Sequence, residues 1–315
     1  MQILSGHTPD PASRGRIATV GMFDGVHLGH RHLLHSLIDA GDRLGLTPMA
    51  ITFTRHPLHV IAPHQPQPLS VSTLPERLLQ LESTGISECL LLDFDTRLMH
   101  MSARDFLRML RDEFGVRAFL TGFNNRFGCD TSLTFDDYTR IAREENIELL
   151  CATRFTDGVS DTLISSSTIR ALIGTHGDVA GAAAMLGRPF SLIGTVIHGN
   201  AIGRTIGYPT ANLKPTDDRC LIPLNGVYAC QALLPGNEGL VLPAMVNIGD
   251  RPTFNDRRGR SIEAHVIGLD RDIYGATVTL RFLQRLREER KFDSPQALRD
   301  QLAADCDMTL HINRK

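Results

Sequence analysis

The sequence has almost no surplus of either charge, no long apolar run and no paired cysteines, and each lack excludes a class of protein. Thirty-three Lys and Arg stand against 35 Asp and Glu, a formal net charge of -2. Without a basic surplus there is no electrostatic footprint for a nucleic-acid backbone, so no nucleic-acid partner is expected. No stretch approaches the roughly eighteen apolar residues of a membrane span, and the opening MQILSGHTPDPASRGR has no apolar core of a secretory leader. No membrane partner and a cytoplasmic location are therefore expected. The six cysteines, Cys89, Cys129, Cys151, Cys220, Cys230 and Cys306, never form a CxxC. That scatter suits reduced thiols better than disulfides or zinc. Internal repeats and low-complexity segments are also absent. What remains is a chain of 315 residues with 42% apolar and 22% charged residues, enough for two globular domains.

The first half alternates short apolar runs with helical patterns. Residues 17–20, 48–53, 89–92, 118–121 and 147–151 read as strands. Thr73 and Ser102 read as helix N-caps, with Glu76 and Asp105 three residues on. Strand–helix alternation predicts an α/β doubly wound parallel sheet, whose ligands bind beyond the carboxyl ends of the strands. After Arg188-Pro189 the segments 191–198, 226–234, 261–267 and 277–282 are short, β-rich and punctuated by Gly, Pro, Asn and Asp. This half is expected to be an all-β closed antiparallel barrel with a C-terminal helix capped by Ser294 and opened by Pro295. The expected domains are residues 1–186 and 187–315.

Directly after the first strand comes Gly21-Met22-Phe23-Asp24-Gly25-Val26-His27-Leu28-Gly29-His30. Three glycines let a backbone turn tightly against a ligand, and the helix that follows turns its free N–H groups toward phosphate. His27 and His30 can donate to phosphate oxygens and support charge that grows during reaction. Gly21, Phe23, Asp24, Gly25 and Gly29 are the expected cradle. Two other readings of the same residues stay open. His27, His30, His32 and His35 could ligate a metal, or the segment could be a plain βα turn with surface histidines. A dinucleotide fingerprint is excluded, because GxGxxG is missing. Further on, Ile164-Ser165-Ser166-Ser167-Thr168-Ile169-Arg170 places hydroxyls and a permanent charge at a helix start.

Paired with HxGH, that segment resembles the nucleotidylyltransferase superfamily signature, HxGH near the start and ISSTxxR near the end. The finer spelling GMFDGVHLGH is similar to the GxFDGxHxGH motif of prokaryotic FAD synthetases. Gly122-Phe123-Asn124-Asn125-Arg126-Phe127-Gly128 and Phe53-Thr54-Arg55-His56-Pro57 resemble two more of their motifs, with Arg55 and Asn125 departing from the usual residues. The resemblance implies transfer of an adenylyl group from ATP to FMN, giving FAD and pyrophosphate. It assigns His27 and His30 to the phosphates undergoing reaction, Ser165, Ser166 and Arg170 to the triphosphate, and Asn124 to the substrate.

The β-rich half carries Gly199-Asn200-Ala201-Ile202-Gly203-Arg204-Thr205 and Gly207-Tyr208-Pro209-Thr210-Ala211-Asn212. The first piece is not a P-loop, since its glycines are too close and Arg204 stands in place of Lys. Its backbone, around Gly203 and Arg204, can still cradle phosphate. Thr210 and Asn212, two apart, share one face of an extended chain and offer neutral oxygens suited to Mg²⁺. A turn and an ordinary edge strand is the alternative. GRTIGYPTAN resembles the GRxxGxPTAN motif of riboflavin kinases, and Asn225-Gly226-Val227-Tyr228, Asn247-Ile248-Gly249, Pro252-Thr253-Phe254 and Tyr274-Gly275 match further motifs in order. In Ser261-Ile262-Glu263-Ala264-His265 the polar residues alternate, and Glu263 matches the family's general base. Arg287 matches an arginine expected beside the flavin. Taken together, the chain is similar throughout to bifunctional enzymes that convert riboflavin to FMN and FMN to FAD, with Mg²⁺ accompanying ATP. The rival readings are a descendant with one active domain, a nucleotidylyltransferase of another substrate, and a flavin-binding sensor without catalysis.

Overall fold

The computed structural model describes residues 1–5, 15–122, 126–130, 132–155, 164–198, 207–235, 240–250 and 260–314. It divides into two compact units. One comprises residues 1–68 and 74–164, the other residues 69–73 and 165–315.

The first unit is built on strands β1 (Gln2–Leu4), β2 (Arg16–Val20), β3 (Thr47–Phe53), β4 (Glu88–Leu92), β5 (Val116–Thr121) and β6 (Glu148–Cys151). They form one parallel sheet in the order β1-β4-β3-β2-β5-β6. Alternate residues of β2 to β5 feed two separate cores. Ile17, Ala50, Cys89 and Ala118 pack with Leu33, Leu34 and Leu37 of helix Leu28–Leu44 and with Leu81 of helix Leu74–Glu82. Ala18, Met49, Ile51, Leu90 and Phe119 pack with Phe106, Leu107 and Leu110 of helix Ala103–Phe114 and with Tyr138 and Ile141 of helix Phe135–Glu144. A sheet covered on both faces explains why its strands read as continuous apolar runs. It is the expected doubly wound arrangement. From β2 the chain steps to β3 and β4 on one side, then returns to β5 and β6 on the other. The switch point therefore lies between β2 and β5, where a doubly wound sheet opens a crevice.

The second unit holds β7 (Phe190–Ile197), β8 (Ala211–Pro215), β9 (Gly226–Leu233), β10 (Val241–Asp250), β11 (Arg260–Val266) and β12 (Thr277–Arg287), closed into an antiparallel barrel in the order β10-β11-β8-β7-β12-β9. Tyr228, Cys230, Val246, Ile248, Ile262, Ala264 and Phe282 fill its interior. Strand β8 continues the extended stretch expected at Thr210 and Asn212, strand β10 is additional to the segments expected from sequence, and β12 runs on past residue 282 through two register shifts. Helices Ser166–Ala171 and Val179–Leu186, with a π-helical turn at Leu172–His176 between them, add Ile169, Ile173, Val179 and Leu186 to the same core. Residues 69–73 also join this unit. Ser70 donates to Arg219 O at 2.8 Å and accepts from Leu221 N at 2.9 Å, and Val71 is buried in its core. The C-terminal helix, Pro295–Asn313, starts at Ser294, whose hydroxyl accepts from Ala297 N at 3.2 Å as expected.

Candidate active sites

In the first unit the loop from Gly21 to His27 leaves the carboxyl end of β2 and turns straight into helix Leu28–Leu44. His27 is the N-cap: its Nδ1 accepts the His30 backbone N–H at 3.2 Å. An accepting Nδ1 carries no proton, so in the neutral ring the proton sits on Nε2. The His27 and His30 rings stack with centroids 3.6 Å apart and planes 15° from parallel. Gly29 makes room for this pair, since a Cβ there would stand 3.3 Å from the His27 ring. Burial, and then the neighbouring His27, hold the His30 pKa well below its ordinary value. Its Nδ1 is buried with no hydrogen-bond partner among the described residues.

The loop is held in an uncommon backbone form. Phe23 has φ +50° and Val26 φ +37°, and Gly25 has φ +77°. Left-handed backbone at a β-branched residue is rare, and each such residue costs about 1–3 kcal/mol. The surroundings that enforce it are visible. Phe23, Asp24 and Val26 are buried, and Val26 N donates back to Phe23 O at 3.0 Å. Thr52 and Arg77 both donate to Met22 O, at 3.1 and 3.0 Å. Arg77, only 2% exposed, was invisible to the sequence argument because a charged helix position reads as solvent-facing.

Not every residue expected here falls within view. Asn124 lies outside the described residues. Arg55 makes a two-pronged pair with Asp93, at 3.2 and 3.1 Å, on the surface. Ser165 caps helix Ser166–Ala171 by accepting from Thr168 N at 3.1 Å, and Arg170 reaches Ser167 Oγ at 3.3 Å. These three expected ligands, Ser165, Ser166 and Arg170, belong to the second unit by packing. Among the described residues no group of three or more His, Cys, Asp or Glu could hold a metal, and His32 instead bonds Thr153.

The second unit has its own cavity, of about 380 Å³, on the outside of the barrel. It is positioned by one cross-strand row. Arg287 of β12 stands opposite Val227 of β9, Val227 opposite Asn247 of β10, Asn247 opposite Glu263 of β11, and Glu263 opposite Asn212 of β8. Residues directly opposite in a ladder project to the same side. Ile262 and Ala264 fill the interior, so Glu263 and its row face outward. Thr210, Glu263 and Arg287 all line the cavity, together with Met245, Asn247 and Glu289. Asn212 is buried beside Glu263 in the ladder. Arg287 is tied down: its Nε and Nη2 bond the Asp305 carboxylate of the C-terminal helix at 2.8–3.2 Å. Asn247 donates to Glu289 at 3.0 Å, and His265 Nδ1 lies 2.8 Å from Pro209 O, fixing the chain that leads to Thr210. Apolar walls with a few convergent polar groups are what a small-molecule pocket requires. Gly203 and Arg204 lie outside the described residues.

Fold and sites together define a two-unit enzyme, a doubly wound parallel sheet joined to a barrel with its own cavity. The FAD synthetase family model matches residues 10–168, and the riboflavin kinase model matches residues 186–313. A bifunctional riboflavin kinase/FMN adenylyltransferase of Escherichia coli (strain K12) is 33% identical over 92% of this chain and 90% of its own length. One from Pseudomonas fluorescens is 34% identical over 97% and 96%. A crystal structure described as a macrolide-efflux protein from Streptococcus pneumoniae shares the whole fold, with TM-score 0.86 and 31% identity over 98% of this chain and 99% of that one. The chain belongs to the bifunctional riboflavin kinase/FMN adenylyltransferase family.

Proposed function

We propose that the two reactions of this family, riboflavin to FMN and FMN to FAD, run at separate sites built from the residues named above. The observation that carries the kinase half is the outward row in which Glu263 stands between Asn247 and Asn212 at the edge of the cavity. Glu263 takes the proton from the riboflavin 5′-hydroxyl as that oxygen attacks the terminal phosphorus of ATP, and ADP leaves. Thr210 and Asn212 offer neutral oxygens to Mg²⁺, a donor set that suits a hard cation held mainly by substrate phosphates. When bound, Mg²⁺ supplies charge to the transferring phosphoryl group. Arg287 walls the flavin side, and Gly203 and Arg204 cradle phosphate. In the adenylyltransferase half an FMN phosphate oxygen attacks the α-phosphorus of ATP and pyrophosphate leaves. Gly21, Phe23, Asp24, Gly25 and Gly29 shape the cradle. His27 donates through Nε2, and His30, kept neutral in the free protein, gains charge-compensating partners as the phosphates arrive. Ser165, Ser166 and Arg170 grip the triphosphate, and Asn124 contacts the substrate. Residues 1–186 carry FAD formation and residues 187–315 FMN formation, in the cytoplasm.

The test is incubation with riboflavin, ATP and Mg²⁺, with products resolved over time, for the wild type and for Glu263→Gln. The variant keeps shape but cannot accept the proton. Its FMN formation should fall by about 10²–10⁴-fold, while FAD formation from supplied FMN persists. Normal phosphorylation of riboflavin by Glu263→Gln would assign the proton to another group.

A further inference from the structure

Arg77 touches neither proposed substrate site as a ligand, yet its placement is hard to explain as a core residue. It lies on helix Leu74–Glu82 and is almost completely buried. Burial lowers its pKa, and the nearby Asp24 opposes that shift. A buried guanidinium is costly unless its donors are used. Two of its three edges are used on backbone: Nη1 donates to Met22 O at 3.0 Å, and Nη2 donates to Phe53 O at 2.6 Å. Met22 and Phe53 sit at the carboxyl ends of the adjacent strands β2 and β3, where the loops on this side of the sheet begin. The remaining donor, Nε, has no partner among the described residues.

The loop anchored at Met22 is the one with left-handed Phe23 and Val26. Backbone of that kind persists only where the surroundings over-determine it. Thr52 supplies one bond to Met22 O, and Arg77 supplies the second together with the tie to β3. We propose that Arg77 is a positioning residue for FMN adenylylation, fixing the strained loop so that the stacked pair His27 and His30 meets the phosphates in register. The planar fork spans two carbonyls at once, which a lysine ammonium, a single point of charge, does less well. Arg77 thus acts through its geometry, and its charge is balanced in place by Asp24.

This inference rests on the adenylyltransferase reading of the first unit, and two measurements separate them. Arg77→Met and Arg77→Lys are made in the full chain. Steady-state FAD formation is measured with ATP and FMN varied in turn, alongside FMN formation from riboflavin. Amide exchange over residues 21–27 is followed in parallel. Arg77→Met should lose about 10²-fold in kcat/KM for ATP, the size of effect that a small misplacement of reacting groups produces. KM for FMN should change much less, riboflavin phosphorylation should stay at the wild-type rate, and exchange in the loop should speed up. Arg77→Lys, which keeps the charge, should recover part of the loss. Wild-type kcat/KM in Arg77→Met overturns the proposal, as does a loss of FAD formation with unchanged exchange in the loop. If the wild-type chain makes no FAD at all, the adenylyltransferase reading fails, and the exchange data alone still decide whether Arg77 holds the loop.

Discussion

Asp305→Ala should weaken the second unit by an amount the structure allows to be worked out. The Asp305 side chain is 5% exposed and that of Arg287 18%. The carboxylate accepts from Arg287 Nε and Nη2 and from Gln301 Nε2 at 2.7 Å. Removing it strands one guanidinium charge and one amide. Breaking a buried pair from one side costs about 3–5 kcal/mol. Arg287 keeps some solvent, a bond to Glu288 O at 3.0 Å and the Phe292 ring 5.7 Å away, so the low end, about 3 kcal/mol, applies. In a unit of roughly 150 residues each kcal/mol shifts the midpoint by about 2–4 °C, which gives a fall of about 6–12 °C. Differential scanning calorimetry of the full chain reads it. Replacing both partners with apolar residues, Arg287→Met with Asp305→Leu, should restore most of the lost stability, because no uncompensated charge remains. Riboflavin KM should rise in Asp305→Ala, since Arg287 walls the cavity, while FAD formation from FMN should not change. A midpoint within about 2 °C of wild type would refute the reasoning, because a charge stranded at this depth cannot be so cheap.

Three further outcomes follow from the same structure. The His30 pKa lies below its unfolded value of 6.5. Its contribution to stability is therefore complete above that pH and is lost as pH falls toward the folded pKa, by at most about 1.4 kcal/mol per pH unit. Thermal midpoints of wild type and His30→Gln, compared between pH 7.5 and pH 5, should show the smaller acid loss in the variant; equal losses would contradict it. Burial pushes the Cys89 thiol up to about 11, and Cys230 is also raised by burial, whereas Cys129 and Cys151 are exposed. Mass-spectrometric mapping after brief alkylation of the native chain at pH 8 should find Cys129 and Cys151 modified, with Cys89 and Cys230 protected until the chain is unfolded. A C-terminal fragment beginning at residue 165 should melt well above one beginning at residue 187. The shorter one gives up Ile169, Ile173, Val179 and Leu186, and with them several apolar side chains worth about 1.5–3 kcal/mol each. Equal midpoints would show that these helices add nothing to the barrel.

How much could be read in advance depended on whether a residue's environment was written locally. Strands β2 to β5 are legible because a sheet covered on both faces needs unbroken apolar runs. The caps at Ser102 and Ser294 are legible because a hydroxyl accepting from three residues on is a local event. Strand β1 is three residues long, too short to show alternation. Strand β10 shows in the sequence only as a motif, since Pro243, Asn247 and Gly249 interrupt its apolar pattern. With β10 unrecognised, the row that puts Asn247 opposite Glu263 could not be drawn, although the polar face carrying Glu263 was recognised in β11. The left-handed backbone at Phe23 and Val26 has no glycine to announce it, and Arg77 is buried by partners far away in sequence. Such features are tertiary, and no window of neighbouring residues encodes them.

The small stretch at residues 69–73 has a consequence for the chain's history on the ribosome. Ser70 pairs beside Cys220, and Val71 enters a core shared with Phe190, Leu221 and Tyr228. Those partners are synthesised some 120–160 residues later, so the stretch must wait, already translated and flanked by an otherwise complete first unit. Closing so long a loop carries an entropic cost that grows only slowly with length, but it must be met before the barrel contacts reward it. The second unit is therefore discontinuous in sequence. No single scission of the polypeptide can yield two fragments that each keep every piece of their own fold, and a barrel excised from the carboxyl half would leave one seam unfilled unless a peptide spanning residues 69–73 were added back.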